Sequence, residues 1–85
     1  MTWVVDLTRR AEQGFRRAPT RDQRLLGRAL DEMRIDPFNG DVQPVRGVED
    51  EWRRRVGRWR IFFAVERPGR RVVISDIVRR TSTTY

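Results

Sequence analysis

The chain has 85 residues, 19 basic side chains against 12 acidic ones and a net charge of +7, and it contains neither cysteine nor histidine. That length fits one domain (residues 1–85) that buries only about 60–65% of its unfolded surface, so a covering partner is expected. Without cysteine or histidine there are no disulfides, no thiolate metal sites and no imidazole acid or base, and neither metal nor cofactor is expected. No apolar run approaches the roughly 20 residues of a membrane span and no signal-peptide pattern is seen, so a cytoplasmic protein that makes no use of a membrane is the expectation.

Residues 2–7 favour a strand. Thr8 then caps a predicted helix to about Arg17, with Ala11 and Phe15 on its apolar side, and Pro19 breaks it. Thr20 and Gln23 have the capping-box spacing ahead of a second helix to about Arg34, in which Leu26, Ala29, Leu30 and Met33 recur at helical intervals. The short link predicts a helical hairpin. Pro37 and Asn39-Gly40 end this part in a turn. Residues 42–48 are a weak strand candidate, interrupted by Pro44 and Gly47. In 52–56, Trp52 and Val56 share one face, and Arg53 and Arg55 the other. After Gly57, Trp59, Ile61, Phe63 and Val65 alternate with Arg58, Arg60, Phe62 and Ala64. Pro68-Gly69 turns the chain into a last strand from Arg71 to Val78. The expected class is α+β, in the order β-α-α-β-β-β, with a small antiparallel sheet and the helical hairpin on one face. Most of the aromatic residues belong to its core, with Phe62 on the arginine face.

All 19 basic residues are arginine, and they are unevenly placed. Residues 1–45 carry 8 arginines against 7 acids, whereas residues 46–85 carry 11 against 5. Such asymmetry implies a basic face on the C-terminal sheet that meets a polyanion.

Asp36-Pro37-Phe38-Asn39-Gly40, Val45-Arg46-Gly47, the run Arg53 to Arg60 and the pair Arg79-Arg80 followed by Tyr85 resemble, in order, the "DP..G", "L+G", "RLRVGDYR" and "hRR…Y" stretches of the RelE/ParE toxins of type II toxin–antitoxin systems, with RelE the closer. The resemblance implies that family's fold and an antitoxin partner that wraps the toxin. For a RelE-like member it implies a ribosome-dependent endoribonuclease that cleaves mRNA on the 70S ribosome without metal. A ParE-like member would instead inhibit DNA gyrase without catalysis. A third alternative is a catalytically inactive member that binds antitoxin or nucleic acid.

Metal-free RNA cleavage needs deprotonation of a 2′-hydroxyl, stabilisation of a charged phosphorane and protonation of the leaving oxygen. Arginine suits the second task, because its planar fork matches phosphate oxygens and keeps its charge. By family position, Arg60 is the expected transition-state stabiliser. Arg79 would serve the leaving group, with Arg80 as its alternative, and Tyr85 would stack on a base or move a proton. Arg55 is grouped with these catalytic candidates, while Arg53, Arg55, Arg58 and Arg80 are expected to hold RNA. Glu51, the nearest carboxylate in sequence, is the candidate general base, although Glu49-Asp50-Glu51 also reads as a solvated turn.

Overall fold

The computed structural model describes residues 2–80. Its elements are β1 (Val4–Leu7), α1 (Arg9–Arg17), α2 (Thr20–Ile35), β2 (Val42–Pro44), β3 (Glu51–Val56), β4 (Trp59–Glu66) and β5 (Arg71–Arg79). The five strands form one sheet in the order β1-β5-β4-β3-β2.

The α+β architecture and the antiparallel C-terminal strands are as expected, with two differences. Val42–Pro44 forms a strand of its own, antiparallel to β3. The sheet is also mixed, because β1 pairs parallel to β5, Val4 with Arg71 through Leu7 with Ile74. Short links force neighbouring strands to reverse, but both helices and three strands separate β1 from β5 along the chain, so no hairpin dictates its direction.

Thr8 bridges β1 and α1. Its hydroxyl accepts from the Ala11 amide at 3.2 Å and donates to the Ser75 carbonyl at 3.0 Å, which ties the helix start to β5. The expected capping box at Thr20 does not form. Pro19 occupies the cap position with no side-chain bond to the helix. The Gln23 amide instead donates to the carbonyls of Phe15 and Arg16, in the last turn of α1. It thereby satisfies acceptors that a helix end leaves open.

The core lies between the helices and one sheet face. Leu26, Ala29 and Met33 of α2 and Ala11 of α1 are buried with Ile61, Phe63 and Val65 of β4 and Val72, Ile74 and Ile77 of β5. Trp59 is buried too, and its indole N–H donates to Asp22 at 3.0 Å. Trp3, Phe15 and Trp52 pack against this core half-buried, while Phe62 is on the opposite face, as expected.

One irregularity decides what the far end of β5 presents. Phe62 pairs with Asp76, but Phe63 pairs with Ile74, so Ser75 is an extra residue in β5. Its hydroxyl donates to the Phe62 carbonyl at 3.2 Å and its carbonyl accepts from Thr8, which holds the bulge from both sides. A bulge shifts the alternation of faces by one residue. Before it, Val72 and Ile74 point to the core; after it, Ile77 does.

Gly14 lets α1 approach β5, because a Cβ there would collide with the Ile77 carbonyl oxygen. Gly27 in α2 has open space around the same position. Gly14→Ala is therefore expected to lower stability by about 1–3 kcal/mol through overpacking. Gly27→Ala is expected to raise it by about 0.5–1 kcal/mol through helix propensity. Urea denaturation midpoints of the two variants should move in opposite directions.

Candidate functional site: an arginine cleft on the open sheet face

Three consecutive arginines in β3 alternate between faces, as strand geometry requires. Arg54 points inward and is 8% exposed. Its guanidinium donates to the Ala29 carbonyl at 3.3 Å and to the Glu32 carboxylate, both on α2. Its remaining edge lies against Gly40, where a Cβ would come within 3.0 Å of Nε and Nη2. Arg54 is therefore a structural arginine that clamps α2 and the turn after it onto β3.

Arg53 and Arg55 point the other way, onto the open face. Arg55 is directly opposite Arg60 of β4, and Arg53 is opposite Phe62. Arg80 continues β5 by donating its amide to the Arg58 carbonyl. It lies two residues beyond Val78, the partner of Arg60, and so falls on the same face as Arg60. Arg53, Arg55, Arg60 and Arg80 line a small open cleft of about 100 Å³ together with Asp41 and Gln43. The last two come from the start of the β2 region. Asp41 Oδ2 is 2.8 Å from Arg55 Nε, and Gln43 accepts from Arg53 at 3.2 Å.

Like charges directly opposite one another in a sheet are unfavourable. Among the described residues, the Arg55–Arg60 pair is offset within the cleft by a single carboxylate, that of Asp41. Four guanidiniums around one acid leave the cleft strongly cationic, and their planar donors suit the oxygens of a phosphate diester. Among the described residues, no three His, Cys, Asp or Glu side chains come together as a metal site.

The remaining sequence candidates are not gathered there. Arg79 pairs with Trp59, whose side chain is buried against the helices, and Arg79 lines a different cavity beside Arg10 and Arg17 of α1. The Ser75 bulge is the cause: without it Arg79 would share the face of Arg60, and with it Arg80 does. Arg58 is exposed in the β3–β4 turn and contributes its carbonyl to Arg80 rather than a side chain to the cleft wall. Glu51 is on the cleft's face but opposite Ala64, four residues along β3 from Arg55, or about 13 Å at strand spacing. Tyr85 lies outside the described residues.

Asp41 and Gln43 are the cleft residues that the sequence reading missed. Accepting Val42–Pro44 as a strand paired with 52–54 would have revealed them, since that register sets Asp41 beside Arg55 and Gln43 opposite Arg53.

No family model matches the chain, and no curated protein matches it. Solved structures do. The archaeal RelE–RelB complex of Pyrococcus horikoshii OT3 superposes with a TM-score of 0.83 at 20% identity, over 98% of this chain and 100% of that one. The RelBE2 toxin–antitoxin complex of Mycobacterium tuberculosis gives 0.82 at 19%, over 94% and 100%. The fold is that of the RelE/ParE toxins. The YoeB/ParE toxin of Agrobacterium tumefaciens also shares it, with a TM-score of 0.77 at 18% identity over 92% of this chain and 99% of that one. The RelE-like fold thus presents on its open sheet face here a cleft whose basic residues are all arginine.

The alternation in β3 has a direct test. Arg54→Ala removes a buried guanidinium with its bonds to the Ala29 carbonyl and the part-exposed Glu32 carboxylate and leaves a cavity, so stability should fall by about 1–3 kcal/mol. Arg53→Ala, on the open face, should change stability by no more than about 0.5 kcal/mol. Denaturant titrations of the two variants measure the difference.

Proposed function

We propose that this chain is the toxin of a type II toxin–antitoxin system and acts as a ribosome-dependent endoribonuclease, cleaving mRNA on the 70S ribosome without a metal ion. The observation that carries this reading is the convergence of Arg53, Arg55, Arg60 and Arg80 on one cleft of the open face, in a RelE-like fold. In this reading Arg53 and Arg55 hold backbone phosphates, with Arg58 contacting RNA from the turn at the cleft's end. Arg60, from the strand beside β3, bears on the phosphorane, where preorganised donors act on charge as it develops. Arg80 rather than Arg79 stands beside it, supplying charge at the leaving oxygen. Tyr85 follows Arg80 in the chain and retains its proposed role against a base.

The partner proposed for the free toxin is an antitoxin with an acidic segment. Structural neighbours are complexes of RelE with RelB, and the arginine cleft is complementary to such a segment. The antitoxin and the message would then compete for the same guanidiniums. The gyrase-inhibiting alternative shares the fold and needs no proton acceptor, so the fate of the message separates the two.

Primer extension on mRNA from cells expressing the chain should show cuts at defined codon positions that vanish when initiation is blocked. Intact message accompanied by DNA damage would transfer the assignment to gyrase. With purified programmed ribosomes, Arg60→Ala should slow cleavage by roughly 10²–10³-fold, and Arg80→Ala should cost more than Arg79→Ala. Equal losses for the last two variants would detach the chemistry from this cleft.

A further inference from the structure

A ribonuclease of this kind needs a group that takes the proton of the 2′-hydroxyl, and the sequence offers neither histidine nor lysine nor cysteine for it. The cleft narrows the choice. Arg53, Arg55, Arg60 and Arg80 are donors with no acceptor capacity, and the Gln43 amide is a neutral acceptor too weak to carry a proton. Among the described residues, the remaining lining side chain is Asp41. Glu51 shares the face but stands about 13 Å along β3 from Arg55.

Asp41 is also held in place. Its carbonyl accepts from the Arg55 amide at 2.9 Å while its carboxylate lies 2.8 Å from the Arg55 side chain. Gly40 before it is packed against the buried Arg54 guanidinium, and the Gly40 carbonyl accepts from Val42 at 3.0 Å after it. One arginine thus fixes the turn from the core side and the next fixes the carboxylate on the open side. The Asp41 side chain is 44% exposed, so a ligand in the cleft can reach it.

We infer that Asp41 is the proton acceptor of the cleft, taking the 2′-hydroxyl proton of a ribonucleotide whose phosphate the surrounding arginines hold. The assignment rests on the ribonuclease reading above and deepens it. In the step, the 2′-hydroxyl proton passes to the Asp41 carboxylate and the 2′-oxygen bonds to phosphorus. The bond from phosphorus to the 5′-oxygen breaks, and that oxygen takes a proton from water in the open cleft. The products are a 2′,3′-cyclic phosphate and a 5′-hydroxyl, and Asp41 returns its proton to solvent.

The test is single-turnover cleavage of mRNA on programmed 70S ribosomes by the full chain and its variants. Asp41→Asn and Asp41→Ala should each lose roughly 10²–10⁴-fold in rate, while affinity for an RNA oligonucleotide holds or rises because an acid has left a basic cleft. Added formate should restore part of the activity of Asp41→Ala and none of that of Arg60→Ala. Near-native rates in both Asp41 variants, or loss of activity in Glu51→Gln instead, would overturn the assignment and leave the ribonuclease reading standing. So would failure of formate to rescue, since a carboxylate that only orients Arg55 is not replaced by a diffusing acceptor. A wild-type chain that binds ribosomes yet leaves the message uncut would bring down the ribonuclease reading itself.

Discussion

Arg54 is the residue on which the rest of this molecule turns. A buried guanidinium costs several kcal/mol unless its donors and charge are met, and here α2 supplies the Ala29 carbonyl and the Glu32 carboxylate for that purpose. The requirement works in both directions. It holds the helix against β3, and it demands a residue without a Cβ where the chain passes the guanidinium, a place taken by Gly40 with its positive φ of 95°. Asp41 follows at once and is delivered to the open face beside Arg55. The interior clamp and the exterior cleft are therefore built by adjacent residues of the same strand and the same turn.

The open face owes its character to the exclusive use of arginine. A lysine-lined cleft could deprotonate some of its ammonium groups to relieve crowding, whereas guanidinium stays charged under any condition in which the protein folds. Arg55 and Arg60 must then face each other as two permanent cations. Asp41 and Gln43 along the rim take up part of that charge and donor capacity in the free chain. The surface is consequently prepared for a polyanion, whichever one arrives.

Much of this was legible in the sequence because strand alternation is a simple code. Trp59, Ile61, Phe63 and Val65 name their face without ambiguity, and the same period separates Arg53 and Arg55 from Arg54. The helices were equally plain from the spacing of Leu26, Ala29 and Met33. Other features depended on partners far along the chain. Val42–Pro44 has too few residues and a proline too many to announce a strand, and it becomes one through pairing with β3. Gln23 looked like a capping residue for its own helix and instead closes the previous one, a choice settled by where Pro19 puts the helix start. Asp41 carried no local signal, because its significance lies in the side chain opposite it.

The bulge at Ser75 has a wider meaning than its one extra residue. It works as a phase shift in the pattern that assigns side chains to faces, inserted between the part of β5 that builds the core and the part that reaches the cleft. Upstream of it, β5 is committed to the spacing that Val72 and Ile74 need against the helices. Downstream, the phase is reset, and Arg80 comes round to the open face while Arg79 turns toward α1. Along this strand, then, the length of the chain carries information that residue identity does not. Two neighbouring arginines, chemically identical, are told apart by counting from Ser75.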